Sequence, residues 1–183
     1  MLKQKYLVTG FKPWSTHDVN PAEIAAKFAG SLGLPFAVYP VSYPVIDDVF
    51  KEQKLDRVLL FGLAGRRSEM SLERFAYNEF DARLKDVDGA CPTRREIFEG
   101  GPKRLETKLD IEALGEALKQ QGIPNHVSTD PGRYLCNDIY YHALHCSNGN
   151  AIFVHLPPLS ETFTEEMLRH AVTVLCDVLF FGK

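Results

Sequence analysis

Two side chains in this sequence stand where nucleophilic chemistry would need them. Cys136 falls in the first turn of an expected helix, directly after an expected strand and the turn Asp130-Pro131-Gly132. Backbone N–H groups and the helix dipole favour an anion at such a place. A thiolate is an anion, so the position is expected to lower the thiol pKa and raise its nucleophilicity. The same residue also fits a small buried apolar side chain. His155 ends the apolar run Ala151-Ile152-Phe153-Val154 and precedes Leu156-Pro157. A histidine at the carboxyl end of a central strand could deprotonate Cys136 and then protonate a leaving amine. It could equally bond a neighbouring loop. The remaining histidines have poorer settings: His17 and His126 near loops, and His142, His145 and His170 within helices.

A third group should orient the imidazole. Candidate carboxylates are many, and spacing alone selects none. Glu73 is an acid among strand-like residues, a setting that also suits a solvated strand face. His142 and Cys146 have i,i+4 spacing, but no cluster of partners accompanies them and no metal is expected. Gly62-Leu63-Ala64-Gly65 follows a strand but is neither a dinucleotide fingerprint nor a phosphate loop. Arg66 and Arg67 after it read as a solvated turn. No Gly-x-Ser-x-Gly elbow occurs.

Strands and helices alternate along the chain and must position these groups. Residues 6–9 read as a strand ending at Gly10. Asn20, Pro21 and Glu23 then give an N-cap, a proline in the first turn and a capping-box-like acid, with Ile24, Phe28 and Leu32 as the buried stripe. A strand is expected at 36–41, a helix at 44–53 with Ile46, Val49 and Phe50 inside, and a doubly covered strand at 57–61. Residues 68–104 show weak alternation and no helical period, and read as strands within a long excursion. A helix is expected at 110–121, with Ile111, Leu114 and Leu118 inside and Gly122 as its C-terminal stop. A strand at 126–129 leads to a helix at 133–146, with Leu135, Ile139, Ala143 and Cys146 as its stripe. A strand at 151–155 follows, and Thr162 with Glu165 opens a last helix running to about residue 180. This alternation implies an α/β fold: a three-layer α/β/α sandwich with a mostly parallel central sheet. Ligands of such sheets bind beyond the carboxyl ends of the strands. That directs attention to residues 10–20, 62–68, 129–136 and 155–160.

Composition agrees with one domain spanning residues 1–183. The 183 residues are 45% hydrophobic and 25% charged, ordinary globular values that exclude a disordered or collagenous chain. The net charge of -3 argues against a nucleic-acid binder. There is no run of apolar residues long enough for a membrane span, and the first apolar run is too short for a signal peptide. A cytoplasmic protein is expected. Its four cysteines, Cys91, Cys136, Cys146 and Cys176, form no CxxC pair and are expected to be free thiols.

Five segments taken together resemble a known family. Val8-Thr9-Gly10-Phe11-Lys12-Pro13-Trp14 with Asn20-Pro21-Ala22, Ser71-Leu72-Glu73-Arg74-Phe75-Ala76-Tyr77-Asn78, Asp81-Ala82-Arg83-Leu84-Lys85-Asp86-Val87-Asp88-Gly89, Gly132-Arg133-Tyr134-Leu135-Cys136-Asn137 and Phe153-Val154-His155-Leu156-Pro157 occur in order over nearly the whole chain. In this the chain is similar to the pyroglutamyl peptidase I, or pyrrolidone-carboxylate peptidase, family. The resemblance implies a cysteine exopeptidase that hydrolyses N-terminal pyroglutamate (5-oxoproline) from peptides through a thioester. It implies a triad of Cys136, His155 and Glu73. The Cys136 N–H and Arg83 would face the oxyanion, and Phe11, Trp14, Asn20, Leu84, Tyr134 and Leu135 would bind substrate. It also implies no cofactor, a peptide partner with a blocked N-terminus, and a homo-oligomer, dimer or tetramer. An amidase acting on another small lactam or acyl amide, or a catalytically silent ligand-binding homologue, are the alternatives. A phosphorylase-like reaction on a related sandwich has no phosphate-binding signature here.

The sequence departs from the family pattern at four places. Trp14 replaces a phenylalanine, Ser15-Thr16 replaces a Gly-Gly pair, Arg133 replaces a small residue, and residues 15–55 are shorter than usual. Arg133, if it points inward, adds positive charge beside the thiol. If it points outward, it is a solvent-facing helix start.

Overall fold

The computed structural model describes residues 5–15, 18–51 and 53–182; Thr16 and His17, weighed above, lie outside the described residues. In chain order the elements are β1 (Tyr6–Phe11), α1 (Pro21–Ser31), β2 (Phe36–Tyr39), α2 (Tyr43–Phe50), β3 (Arg57–Leu63) and β4 (Met70–Glu73). Four short strands follow: β5 (Phe75–Tyr77), β6 (Phe80–Asp81), β7 (Thr93–Arg95) and β8 (Arg104–Glu106). Then come α3 (Ile111–Gln120), β9 (Asn125–Ser128), α4 (Leu135–Cys146), β10 (Ala151–Leu156) and α5 (Glu165–Cys176), which ends in a π-helical turn, Asp177–Phe181. No helix among the described residues is long and apolar enough to cross a membrane.

The main sheet has the order β2-β1-β3-β10-β4-β9. β2, β1, β3 and β10 are mutually parallel, whereas β4 runs antiparallel to β10 and parallel to β9. The expected mostly parallel sheet is present, with β4 and β9 reversed. Helices α1, α3 and α5 pack together over one face, and α2 and α4 over the other, completing the three-layer sandwich. Every residue of β10 is buried, as a central strand covered on both faces requires.

Helix α1 corrects one expectation. Its buried face is Pro21, Ala22, Ala25, Ala26 and Ala29, while Ile24, Phe28 and Leu32 are half-buried at the edge of the core. The reason lies in β1. A Cβ on Gly10 would come within 2.0 Å of the Ala22 carbonyl oxygen, so strand and helix approach at backbone distance. Only small residues fit such an approach, and the larger ones move to the flanks. Asn20 caps the helix as expected, with Oδ1 accepting from the Ala22 N–H at 3.0 Å. Glu23 closes no capping box; it pairs with Lys27 at 2.6 Å, one turn on. The cap of α5 is likewise Thr164, whose hydroxyl accepts from the Met167 N–H, and not Thr162. Thr162 instead belongs to a turn built on the Ser160 hydroxyl.

The excursion over residues 68–104 has little regular ladder, so side-chain amides and carboxylates replace ladder hydrogen bonds. Asn78 accepts from Phe98 N and donates to Phe98 O, both at 2.8 Å. The buried Asp86 carboxylate accepts from Tyr43 N at 3.0 Å, at the start of α2, and from Ala90 N at 2.7 Å. Asn137 ties the first turn of α4 to the excursion: it accepts from Tyr77 N and donates to the carbonyls of Tyr77 and Glu79. Its side chain is fully buried. Replacing Asn137 by alanine removes three bonds and strands the Tyr77 N–H. The expected loss is about 3–4 kcal/mol, at roughly 1 kcal/mol per bond plus part of the desolvation cost. Urea denaturation measures it; a loss of only a few tenths would mean the excursion is held by other contacts.

Candidate active site

The triad candidates come from two strands and one helix: Glu73 from β4, His155 from β10 and Cys136 from α4. Their placement follows from sheet register. His155 on β10 is the register partner of Gly62 on β3, and Phe153 on β10 is the partner of Glu73 on β4. Residues two apart on a strand share a face, as do register partners on adjacent strands. His155, Phe153, Gly62 and Glu73 therefore all look toward α4. Cys136, the second residue of α4, meets them there: a Cβ on Gly62 would stand 3.0 Å from Cys136 Sγ and 2.5 Å from the Phe153 ring. Gly62 is a glycine because the thiol and that ring occupy the space of its side chain.

Glu73 has no solvent exposure. Its Oε1 lies 2.7 Å from His155 Nδ1 and 2.6 Å from Arg67 Nη1. The Tyr140 hydroxyl donates to the Glu73 carbonyl at 2.7 Å and fixes the backbone there. Burial raises the Glu73 pKa, but the bond and charge of His155 together with the charge of Arg67 outweigh it, and the carboxyl ends below its usual range. An ionised carboxylate only accepts, so Nδ1 carries the proton and Nε2 keeps its lone pair. Burial is the stronger influence on His155 itself and lowers its pKa, which leaves the imidazole neutral.

Arg67 corrects the sequence reading. It is not a solvated turn residue; it reaches back from the turn after β3 to the Glu73 carboxylate and to the Asp130 carbonyl. Arg66 is exposed, as expected. Position in sequence carried no signal for Arg67, because its partner Glu73 becomes adjacent only when β4 enters the sheet.

The thiol corrects a second expectation. Burial and the Glu73 charge push the Cys136 pKa up to about 12, against the opposing pull of Arg67. The first turn of a helix contributes at most ~2 kcal/mol to an anion, less than burying a thiolate costs. The other three cysteines are also free thiols.

Cys136 opens onto a cavity of about 220 Å³ lined by Phe11, Trp14, Asn20, Val41, Leu63, Gly65, Leu84, Tyr134 and Leu135. All six substrate-binding candidates lie in that wall; Val41, Leu63 and Gly65 were missed, for lack of any polar or aromatic signal. Trp14 packs tilted against Tyr134 with ring centroids 5.7 Å apart, and Tyr134 meets Tyr43 edge-on at 5.9 Å. Asn20 donates to the Lys12 carbonyl while capping α1, which latches the Phe11–Trp14 wall to the helix. Ser15 holds φ at 60°, in the left-handed region where glycine is at ease and a Cβ is strained.

Arg83 is exposed and lines a second, more open cleft with Glu79, Asp81, Asp130, Gly132 and Arg133. Leu84 and Tyr134 separate the two spaces and line both. Arg133 does not turn toward the thiol. It lies 3.8 Å over the Tyr77 ring and pairs with Glu79 at 3.0 Å and Asp130 at 2.7 Å. Its charge is met by carboxylates and adds little at Cys136.

The chain is similar to known proteins in both sequence and fold. A family model described as pyroglutamyl peptidase matches residues 4–176. The pyrrolidone-carboxylate peptidase of Levilactobacillus brevis is 35% identical, over 95% of this chain and 92% of that protein. The one from Pyrococcus furiosus is 33% identical, over 89% of this chain and 85% of that protein. A crystal structure of a mutant P. furiosus pyrrolidone carboxyl peptidase superposes with a TM-score of 0.86 at 31% identity, covering 97% of this chain and 99% of the other. The pyrrolidone carboxyl peptidase of Fervidobacterium islandicum gives 0.82 at 30% identity, covering 98% and 99%. With sequence and fold matched over almost their whole length, the chain belongs to the pyroglutamyl peptidase family of cysteine peptidases.

Proposed function

We propose that this protein hydrolyses an N-terminal pyroglutamyl residue from peptides, with Cys136 as nucleophile, His155 as general base and acid, and Glu73 as the group that orients His155. One observation carries the reading: a buried Glu73–His155 bond of 2.7 Å on the sheet face that also meets the Cys136 thiol, beside a small aromatic-walled cavity. A cavity of about 220 Å³ is smaller than typical drug-sized sites and suits one compact ring. The flat, uncharged lactam matches its apolar wall. The open cleft across Leu84 and Tyr134 leaves room for the remaining chain, which is the division an exopeptidase needs.

The protonation states shape the chemistry. Thiol and imidazole are both neutral before substrate binds, so the proton moves to His155 Nε2 as Sγ attacks the pyroglutamyl carbonyl carbon. The oxyanion then faces the first-turn N–H of Cys136, while Arg83 stands in the open cleft beyond Leu84 and Tyr134. Collapse breaks the C–N bond, His155 returns the proton to the leaving amine, and water hydrolyses the thioester with His155 again as base. Arg67 acts on this sequence through Glu73 and is a positioning residue.

Release of aminomethylcoumarin from its pyroglutamyl derivative tests the reading. Wild type should turn it over, and Cys136→Ala should lose ~10,000-fold or more. Folded, reduced wild type that is inert on this substrate but cleaves another acyl-aminomethylcoumarin would shift the assignment to a different small acyl amide. Arg67→Met gives a separate readout. Arg67 lowers the His155 pKa, so its removal should raise that pKa and move the acidic limb of the kcat/KM profile to higher pH. An unshifted limb with a simple drop in stability would make Arg67 structural only. The neutral thiol predicts that Cys136 alkylation by iodoacetamide, followed by peptide mass analysis, keeps rising through alkaline pH without substrate. A plateau already reached at pH 6 would show a preformed thiolate–imidazolium pair.

A further inference from the structure

On the α4 side of the sheet, the reaction leaves three ligand-type side chains unused. Asp138 and His142 lie one turn apart on α4, and Asp47 faces them from α2. Their nearest ligand atoms all fall within 4.8 Å of one another. His142 Nε2 is 3.3 Å from Asp47 Oδ1 and 3.5 Å from Asp138 Oδ1. Charge-assisted N–H···O bonds run at roughly 2.7–2.9 Å, so neither contact has their length. Both oxygens of Asp138 and Nε2 of His142 lack a hydrogen-bond partner. The Asp138 side chain is nevertheless 0% exposed and that of His142 only 6%.

A buried carboxylate and imidazole that face each other beyond hydrogen-bond length leave polar atoms unsatisfied, which native interiors rarely do. Burial pushes the Asp138 carboxyl up to about 6 against the pull of His142, and against the imidazole's own burial Asp138 and Asp47 in turn hold His142 up to about 9. The spacing itself suggests what the three groups suit. Two ligands at roughly 2.0–2.1 Å from a tetrahedral ion stand about 3.3 Å apart. The two measured separations are close to that edge. The i,i+4 placement on one helix is a common way to present two ligands to one ion.

We propose that Asp47, Asp138 and His142 form a binding site for a divalent transition-metal ion of the zinc class. The two carboxylates neutralise the ion's charge, and the ion displaces the proton that they otherwise hold on His142. A water takes the fourth position from the solvent side, where the Asp47 side chain is 56% exposed. The Phe98 ring packs edge-on against His142 at 4.7 Å and limits its motion. The bound ion staples α2 to α4, the helix that carries Cys136 in its first turn. The helical pair it uses is His142 with Asp138, four residues before it; Cys146, four residues after, turns its thiol to the Ala143 carbonyl. The inference does not depend on the reaction at Cys136.

The test uses the Cys136→Ser chain, which removes the active-site thiol as a competing ligand. Calorimetric titration with zinc chloride should give one ion per chain. Cobalt(II) should give visible bands without the near-ultraviolet charge-transfer band of a thiolate ligand. His142→Gln should abolish binding. Asp47→Asn, at an exposed position that spares the fold, should weaken it by about tenfold or more. Zinc should raise the melting temperature of the Cys136→Ser chain but not that of the chain also carrying Asp47→Asn. A thiolate charge-transfer band, or one bound ion retained in both variants, would assign the metal elsewhere and overturn the proposal. Absence of zinc binding would overturn it too, and leave the cluster as a proton held between two carboxylates and an imidazole.

Discussion

A carboxylate without solvent contact in the interior of a sheet constrains everything placed around it. An unpaired buried carboxylate would cost several kcal/mol, and Glu73 offsets that cost chiefly at Oε1, through His155 at 2.7 Å and Arg67 at 2.6 Å. Those two partners explain much of the local architecture. β4 must lie beside β10, so that Glu73 falls diagonally across from His155. The turn after β3 must fold back, so that Arg67 reaches the same oxygen. The reversed direction of β4 and β9 in an otherwise parallel sheet is the topology that delivers this arrangement.

The same ion pair decides where protons reside. An ionised Glu73 fixes the Nδ1–H tautomer of His155, and burial keeps the ring neutral. Burial also keeps Cys136 a thiol, despite its place in the first turn of α4. Desolvation acts on the whole charge of a thiolate, whereas the helix terminus offers about half a unit charge. A half-buried nucleophile beside a neutral base is arranged for proton transfer during attack.

Rigidity around the cavity comes from polar clamps as much as from apolar packing. Asn20 latches the Phe11–Trp14 wall, Asp86 holds the Leu84 segment to α2, and Asn137 joins the nucleophile's helix to the excursion. Each side chain satisfies backbone groups that no ladder reaches. The strained Ser15 and the Trp14–Tyr134 ring contact stand at the same wall, where the chain departs from the family pattern.

The sequence by itself determined the layered α/β architecture, because apolar runs of strand length alternating with helical periods admit few other packings. It also marked Cys136 and His155, since a helix start and a strand end are local features that show in the residues around them. Glu73 was one carboxylate among many until the resemblance selected it, and Arg67 was read as solvent-facing. Both depend on the insertion of β4 beside β10, a long-range pairing that leaves no local pattern. The alanine face of α1 was hidden for a similar reason: the close approach of Gly10 to Ala22 is a contact between elements, and side-chain size within the helix pointed the other way. The thiol's protonation state, the outward turn of Arg133 and the meeting of Asp47 with Asp138 and His142 were decided by tertiary structure alone. Burial and charge neighbours are properties of the assembled interior, and only folding creates them.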